Sequence, residues 1–252
     1  MKRAPTPPDP FRFGWRDVQQ IGPDGSKQWV QVPLTLDDVL HPQEGDHIPE
    51  STQQELDRTY LATVLRSHLS NNPRMRVLSD CLINWGVCGL GNHSPDISVF
   101  EGVNEPRRRN WRTFRVAAEG AQPVLTIEIV SPDARDRQAR DNDVVTKVRE
   151  YYRAGVPLYI IVDQERVDGP RQLIGYRRGA RRYLRMRPDR QGRLLLEPVR
   201  LWLGLRDELA VCWDADADKE IGDLTATTRA LREAQARIRA LESQLRHNGS
   251  QQ

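Results

Sequence analysis

Hydrophobic and polar positions follow two different periods along this chain. From Thr52 to Leu69 the apolar residues Leu56, Tyr60, Val64 and Leu65 recur at helical spacing, and Asn71-Asn72-Pro73 supplies a stop, so the pattern predicts a first helix there. Three extended runs follow: Arg76 to Leu78 continuing into Ile83-Asn84-Trp85, then Ile97 to Phe100, then Val124 to Ser131. Turn residues separate them, including Gly86, Gly89, Gly91, Asn92 and Gly120. From Asp141 the helical period returns with Val144, Val145, Val148, Tyr151 and Tyr152, and Gly155 is placed to cap the C-terminus. Leu158 to Val162 reads as a buried strand ending at Asp163.

The flanks are less regular. Residues 1–50 hold Pro5, Pro7, Pro8, Pro10, Pro23, Pro33, Pro42 and Pro49 with no sustained period, which predicts a proline-rich arm of turns and short extended pieces. Gln164 to Leu203 alternates short apolar pieces with Gly169, Gly175, Gly179 and Gly192, the pattern of antiparallel hairpins. In the tail, Leu224, Leu231, Ile238 and Leu245 repeat every seven residues, with Thr227, Ala234 and Leu241 three positions on. That is a coiled-coil seam over 223–247, which either pairs two copies as a homodimer or packs on its own domain.

The 252 residues suit one domain with appendages, and Lys+Arg 38 against Asp+Glu 35 is only slightly basic. Charge distribution says more than the net. The hairpins carry Arg171, Arg177, Arg178, Arg181, Arg182, Arg185, Arg187, Arg190 and Arg193, interleaved with Tyr176 and Tyr183. They could line a phosphate backbone, with Arg177, Arg178, Arg181 and Arg182 as the candidate contacts, or form a solvated outer face. Cys81, Cys88 and Cys212 have neither disulfide-framework nor metal-knuckle spacing. The N-terminus has no signal-like apolar core and no run reaches membrane-span length, so the expectation is a soluble, cytoplasmic protein without a membrane partner.

Within that frame Glu128 stands out. It lies in the most apolar run of the chain, Val124-Leu125-Thr126-Ile127-Glu128-Ile129-Val130-Ser131, where strand alternation sets it between apolar neighbours. A buried carboxylate there needs a cation, a metal ion or a proton. Asp96, behind Pro95, opens the strand Ile97-Ser98-Val99-Phe100. If the two strands are neighbours, the pair makes a hard-cation site suited to Mg²⁺ or Mn²⁺. Lys147 shares a helix face with Val144, Val148 and Tyr151, from which an ammonium could stabilise charge developing on a scissile phosphate; alternatively it pairs with Asp143 at i, i+4 on the helix surface. His93, three residues before Asp96, could join a metal site or act as a hydrogen-bonding loop residue.

Four motifs in order carry a family resemblance: Ser94-Pro95-Asp96-Ile97-Ser98-Val99, then Thr126-Ile127-Glu128-Ile129-Val130-Ser131-Pro132, then Asn142-Asp143-Val144-Val145-Thr146-Lys147 through Tyr151, then Gly155-Val156-Pro157 with Tyr159-Ile160-Ile161-Val162-Asp163. Over about residues 50–205 the chain resembles the Uma-two family of restriction-endonuclease-like proteins, within the PD-(D/E)XK nuclease-like superfamily. The resemblance implies an α/β fold, a restriction-endonuclease-like core with a central mixed sheet flanked by helices, to which the C-terminal coiled-coil helix is added. It implies a metal-dependent endonuclease acting on DNA, with Asp96 and Glu128 as metal ligands. The superfamily lysine two residues after the glutamate is replaced here by Val130, and Lys147 on the following helix would take its role. Relatives also draw a metal ligand from the first helix, where Glu55 is the one glutamate. The expected organisation is an arm over 1–50, the nuclease-like domain over 51–205, a linker over 206–222, the coiled coil, and a disordered tail over 248–252. The competing expectation is a catalytically inactive nuclease-like module that dimerises and binds nucleic acid or a protein partner.

Overall fold

The computed structural model describes residues 9–49, 51–105, 110–130, 137–164 and 169–222, with isolated residues between 232 and 239; within 137–144 only the backbone is described. In chain order the elements are β1 (Trp15–Ile21), β2 (Lys27–Pro33), α1 (Leu36–Leu40), β3 (Asp46–His47), α2 (Thr52–His68), β4 (Arg76–Ser79), β5 (Leu82–Asn84), β6 (Ile97–Glu101), β7 (Thr113–Arg115), β8 (Gln122–Ile129) and α3 (Arg137–Arg153). They continue as β9 (Leu158–Gln164), β10 (Arg171–Arg178), β11 (Tyr183–Arg185), β12 (Leu194–Leu196), β13 (Leu201–Arg206), β14 (Leu209–Asp214) and β15 (Lys219–Ile221).

The centre is a mixed six-stranded sheet in the order β11-β10-β9-β8-β6-β4. Only β8 and β9 in it are parallel, joined through α3, while every other neighbour pair is antiparallel. Strand alternation sends the two sheet faces into two cores. Ile97, Val99, Leu125, Ile127, Ile129, Ile160 and Val162 pack with Leu61, Val64 and Leu65 of α2 and with Leu194, Leu201 and Leu203. On the other face Phe100, Tyr159 and Ile161 pack with Tyr151 of α3 and with Ile83, Trp85 and Phe114. Glu128, one step from Ile127, is thereby on the α3 side.

Both long helices carry a cap, and the one at Gly155 is where the sequence pattern places it. Ser51 caps α2 by accepting from the Gln54 amide at 3.2 Å. After α3, Gly155 takes a left-handed φ of +83°, and the amide of Val156 donates to the carbonyl of Tyr151 at 3.1 Å.

In the flanks one expectation is filled in and another is corrected. The arm contains a three-stranded sheet, β2-β1-β3, whose hairpin runs in unbroken register from Trp15 opposite Pro33 to Ile21 opposite Lys27. Its prolines occupy the turn and a strand end, where no ladder amide is required, so they punctuate the strands instead of preventing them. Residues 206–222 are not a linker but part of an antiparallel meander, β12-β13-β14-β15. Asp207 and Glu208 turn the chain there with φ of 49° and 63°, the two left-handed residues of a tight hairpin turn, without glycine. Arg171 holds that turn: its amide donates to the Glu208 carboxylate at 3.1 Å and its guanidinium to the Glu208 carbonyl.

The expected coiled coil over 223–247 and the tail over 248–252 lie outside the described residues, apart from isolated helical positions between Arg232 and Arg239. Among the described residues no helix is long and apolar enough to cross a membrane.

Candidate active site

The β6–β8 register pairs Ile97 with Ile127 and Ser98 with Thr126, so one step further Asp96 comes opposite Glu128. Directly opposed residues of an antiparallel pair share a face, and the Ser98 and Thr126 hydroxyls, 3.4 Å apart, show that face continuing inward. Both acids are buried, Asp96 at 7% and Glu128 at 6% exposure. The structure therefore brings together the two carboxylates that sequence reasoning selected separately.

Each is held by named groups. The Ile129 amide donates to Oδ2 of Asp96 at 2.7 Å, a side-chain replacement for the ladder bond where β6 ends. The side-chain Nε2 of Gln54 on α2 donates to Oδ1 at 3.3 Å. On Glu128, the Tyr151 hydroxyl donates to Oε1 at 2.5 Å, and Nζ of Lys147 lies 3.4 Å from Oε2. Lys147 and Tyr151 are one helical turn apart on α3 and face β8 together.

Burial is the largest influence on Asp96 and raises its pKa, with the Glu128 charge adding to it, up to about 8; the Ile129 amide and Lys147 pull the other way. Near neutral pH burial and the Glu128 charge thus favour a proton on Asp96. Hard oxygen donors on neighbouring strands, paired at this cost, fit a divalent cation, which would offset both charges.

Glu55 is exposed on α2, and it is Gln54, one residue earlier, that reaches Asp96. Val130 is half-buried in the α3-side core, with its amide bonded to the Val162 carbonyl at 2.9 Å. Arg177, Arg178, Arg181 and Arg182 are exposed at the β10–β11 hairpin. Arg177 pairs with Glu197 at 2.5 Å, and Arg178 stacks its guanidinium 4.0 Å from the Tyr152 ring centre. Arg177 and Arg178 end β10, two strand spacings or about 10 Å from β8, and Arg177 lies opposite Leu158 of the intervening β9 whereas Glu128 lies opposite Ile161, so these arginines are set apart from the carboxylates.

Sequence reasoning missed Gln54 and Tyr151 as site residues. Tyr151 had a usable signal, its i+4 spacing from Lys147 on the face turned to the sheet. Gln54 had none. His93 is placed, with His41 and Glu150, in a cluster within 4.8 Å. The residue types suit a metal, but the tautomer does not. Trp85 Nε1 points at His93 Nδ1 from 2.8 Å, and an indole nitrogen only donates, so Nδ1 is the acceptor and Nε2 carries the ring proton. A metal on Nε2 would require the reverse.

No curated protein matches the chain. Among solved structures, a putative nuclease belonging to DUF820 from Anabaena variabilis ATCC 29413 matches at 18% identity with a TM-score of 0.39, covering 62% of this chain and 87% of that one. The Uma2 family, described as "Putative restriction endonuclease", matches residues 45–211, more than half of the sequence, and the chain belongs to that family.

Proposed function

We propose that this protein is a metal-dependent endonuclease that hydrolyses phosphodiester bonds in DNA. The observation that carries the reading is the opposition of Asp96, just before β6, and Glu128 on β8, with Lys147 3.4 Å from Glu128, in a chain of a family described as "Putative restriction endonuclease". Asp96 and Glu128 would hold Mg²⁺ or Mn²⁺, which when bound supplies charge neutralisation and an activated water. Tyr151 and Lys147 orient the Glu128 carboxylate. Lys147 is also the one described ammonium beside the acids, placed to stabilise charge developing on the phosphate in the transition state. Gln54 steadies Asp96 from α2.

The hairpin arginines Arg177, Arg178, Arg181 and Arg182 are assigned to the DNA backbone away from the scissile phosphate, a role that orients the duplex without touching the reacting atoms. The tail beyond Asp223 is assigned to pairing two copies.

Incubation of purified protein with plasmid and Mg²⁺ or Mn²⁺ tests the activity. Asp96→Ala and Glu128→Ala abolish cleavage, and Lys147→Ala lowers kcat by roughly 10²–10³-fold, the loss typical of one transition-state donor. Cleavage retained by Glu128→Ala would sink the assignment. Arg181→Glu with Arg182→Glu weakens DNA affinity and flattens its salt dependence while leaving the rate at saturating DNA unchanged.

A further inference from the structure

Beside the carboxylates, and outside the groups assigned to catalysis, runs a buried polar chain. His93 has zero exposure and sits in the loop that also presents Asp96. Trp85 Nε1 donates to its Nδ1 at 2.8 Å, so its Nε2 bears the proton and donates to Oε2 of Glu150 at 2.7 Å. Burial is the largest influence on His93 and lowers its pKa to about 4, in keeping with a neutral ring of fixed tautomer. His41, at the end of α1, approaches Oε1 of Glu150 at 3.7 Å, too long for a hydrogen bond but close enough for an ion pair when protonated. Gly91 leaves the room for that ring, since a Cβ there would meet His41 Nδ1 at 2.4 Å.

Glu150 is the residue before Tyr151 and three after Lys147. A helix turns as a unit, so fixing one side chain's direction fixes the azimuth of its neighbours. We propose that the Trp85–His93–Glu150 chain is a positioning device that sets the rotation of α3 and thereby holds Lys147 and Tyr151 against Glu128. The chain is anchored in the loop after β5 and the loop before β6, so it references α3 to the same part of the fold that carries Asp96. The His93 ring, 5.0 Å from the Tyr151 ring, and the Trp85 ring, 5.7 Å from it, stand against the tyrosine. The catalytic meaning of this device rests on the endonuclease reading; its structural effect does not.

Two readouts separate them. The buried Tyr151–Glu128 hydrogen bond shields the hydroxyl proton from exchange and gives it a resonance of its own, identified by its loss in Tyr151→Phe. In Glu150→Ala that resonance moves or vanishes, and kcat falls by about 10–100-fold, the scale of a misplaced catalytic group, with KM and Mn²⁺ affinity unchanged. Glu150→Gln keeps a carbonyl for His93 and restores both. If Glu150→Ala does not fold, Trp85→Phe keeps the ring, removes the donor that fixes the tautomer, and shifts the same resonance. An unmoved resonance in the folded variants overturns the proposal. If the resonance responds while the wild-type protein cleaves no DNA, the positioning stands and the nuclease reading falls.

Discussion

At the scale of single residues, Glu128 is an acid whose two oxygens are already engaged, one by a hydroxyl and one by an ammonium. Removing the hydroxyl takes one hydrogen bond away from a buried carboxylate. Tyr151→Phe is expected to lower metal-free stability by about 1–3 kcal/mol in denaturant titration, and the deficit shrinks in saturating Mn²⁺ as the cation takes over the oxygen. His93 carries a pH signature. Its pKa is lowered from 6.5 to about 4 in the folded chain, so between those values only the unfolded chain binds the proton. Stability from this group is complete above pH 6.5 and is lost as pH falls towards 4, on the order of 3 kcal/mol in all. Asp96 acts with the opposite sign over pH 4–8, so the measurement is the difference in stability between wild type and His93→Gln, which rises with pH across the lower window and is flat above it.

At the scale of elements, α2 is fastened where it meets the meander. Asp57 pairs with Arg171 of β10 at 2.5 Å, both side chains almost fully buried, and accepts from the Ala210 amide at 2.9 Å. The Tyr60 hydroxyl accepts from the Cys212 amide at 2.9 Å and donates to the Ile221 carbonyl at 2.6 Å. Asp57→Ala strands a buried guanidinium and is expected to cost about 3–5 kcal/mol in thermal or denaturant melts, with much of it recovered by adding Arg171→Met. Because the same helix presents Gln54 to Asp96, a loosened α2 also weakens that contact. The periodic elements α2, β8 and β9 were legible in the sequence because each buries an apolar stripe or run, and α3 was legible from the helical spacing of Val148, Tyr151 and Tyr152. The meander was not: Leu201, Leu203, Ala210 and Cys212 come in short pieces, and the turn between them lacks the glycine that marks such hairpins. The candidate site was half legible. An acid amid Ile and Val announces itself, whereas Gln54 owes its place to a tertiary packing that no local period records.

At the scale of the whole molecule, a cation that binds only the folded chain stabilises it by mass action. Mn²⁺ is expected to raise the melting temperature of the wild-type protein and to leave Asp96→Asn and Glu128→Gln unmoved in a thermal-shift assay. Since Asp96 must release a proton to take the ion, calorimetric affinity for Mn²⁺ rises with pH towards 8. Sedimentation of the protein shortened to end near Asp223 checks the tail: the proposed dimer role requires the mass to fall to that of one chain.

The single parallel pair in the central sheet, β8 beside β9 across α3, bears on the order in which the protein is made. During synthesis from the N-terminus, Asp96 and Glu128 leave the ribosome before Lys147 and Tyr151, and β9, which closes the sheet over the crossover, comes last of these. Pairing strands so distant in sequence is slow. A nascent chain stopped before β9 therefore carries the β6 and β8 strands with both acids but lacks the strand that flanks β8 on its other side. Completion of this part of the sheet waits until chain growth has passed Gln164, a delay written into topology alone.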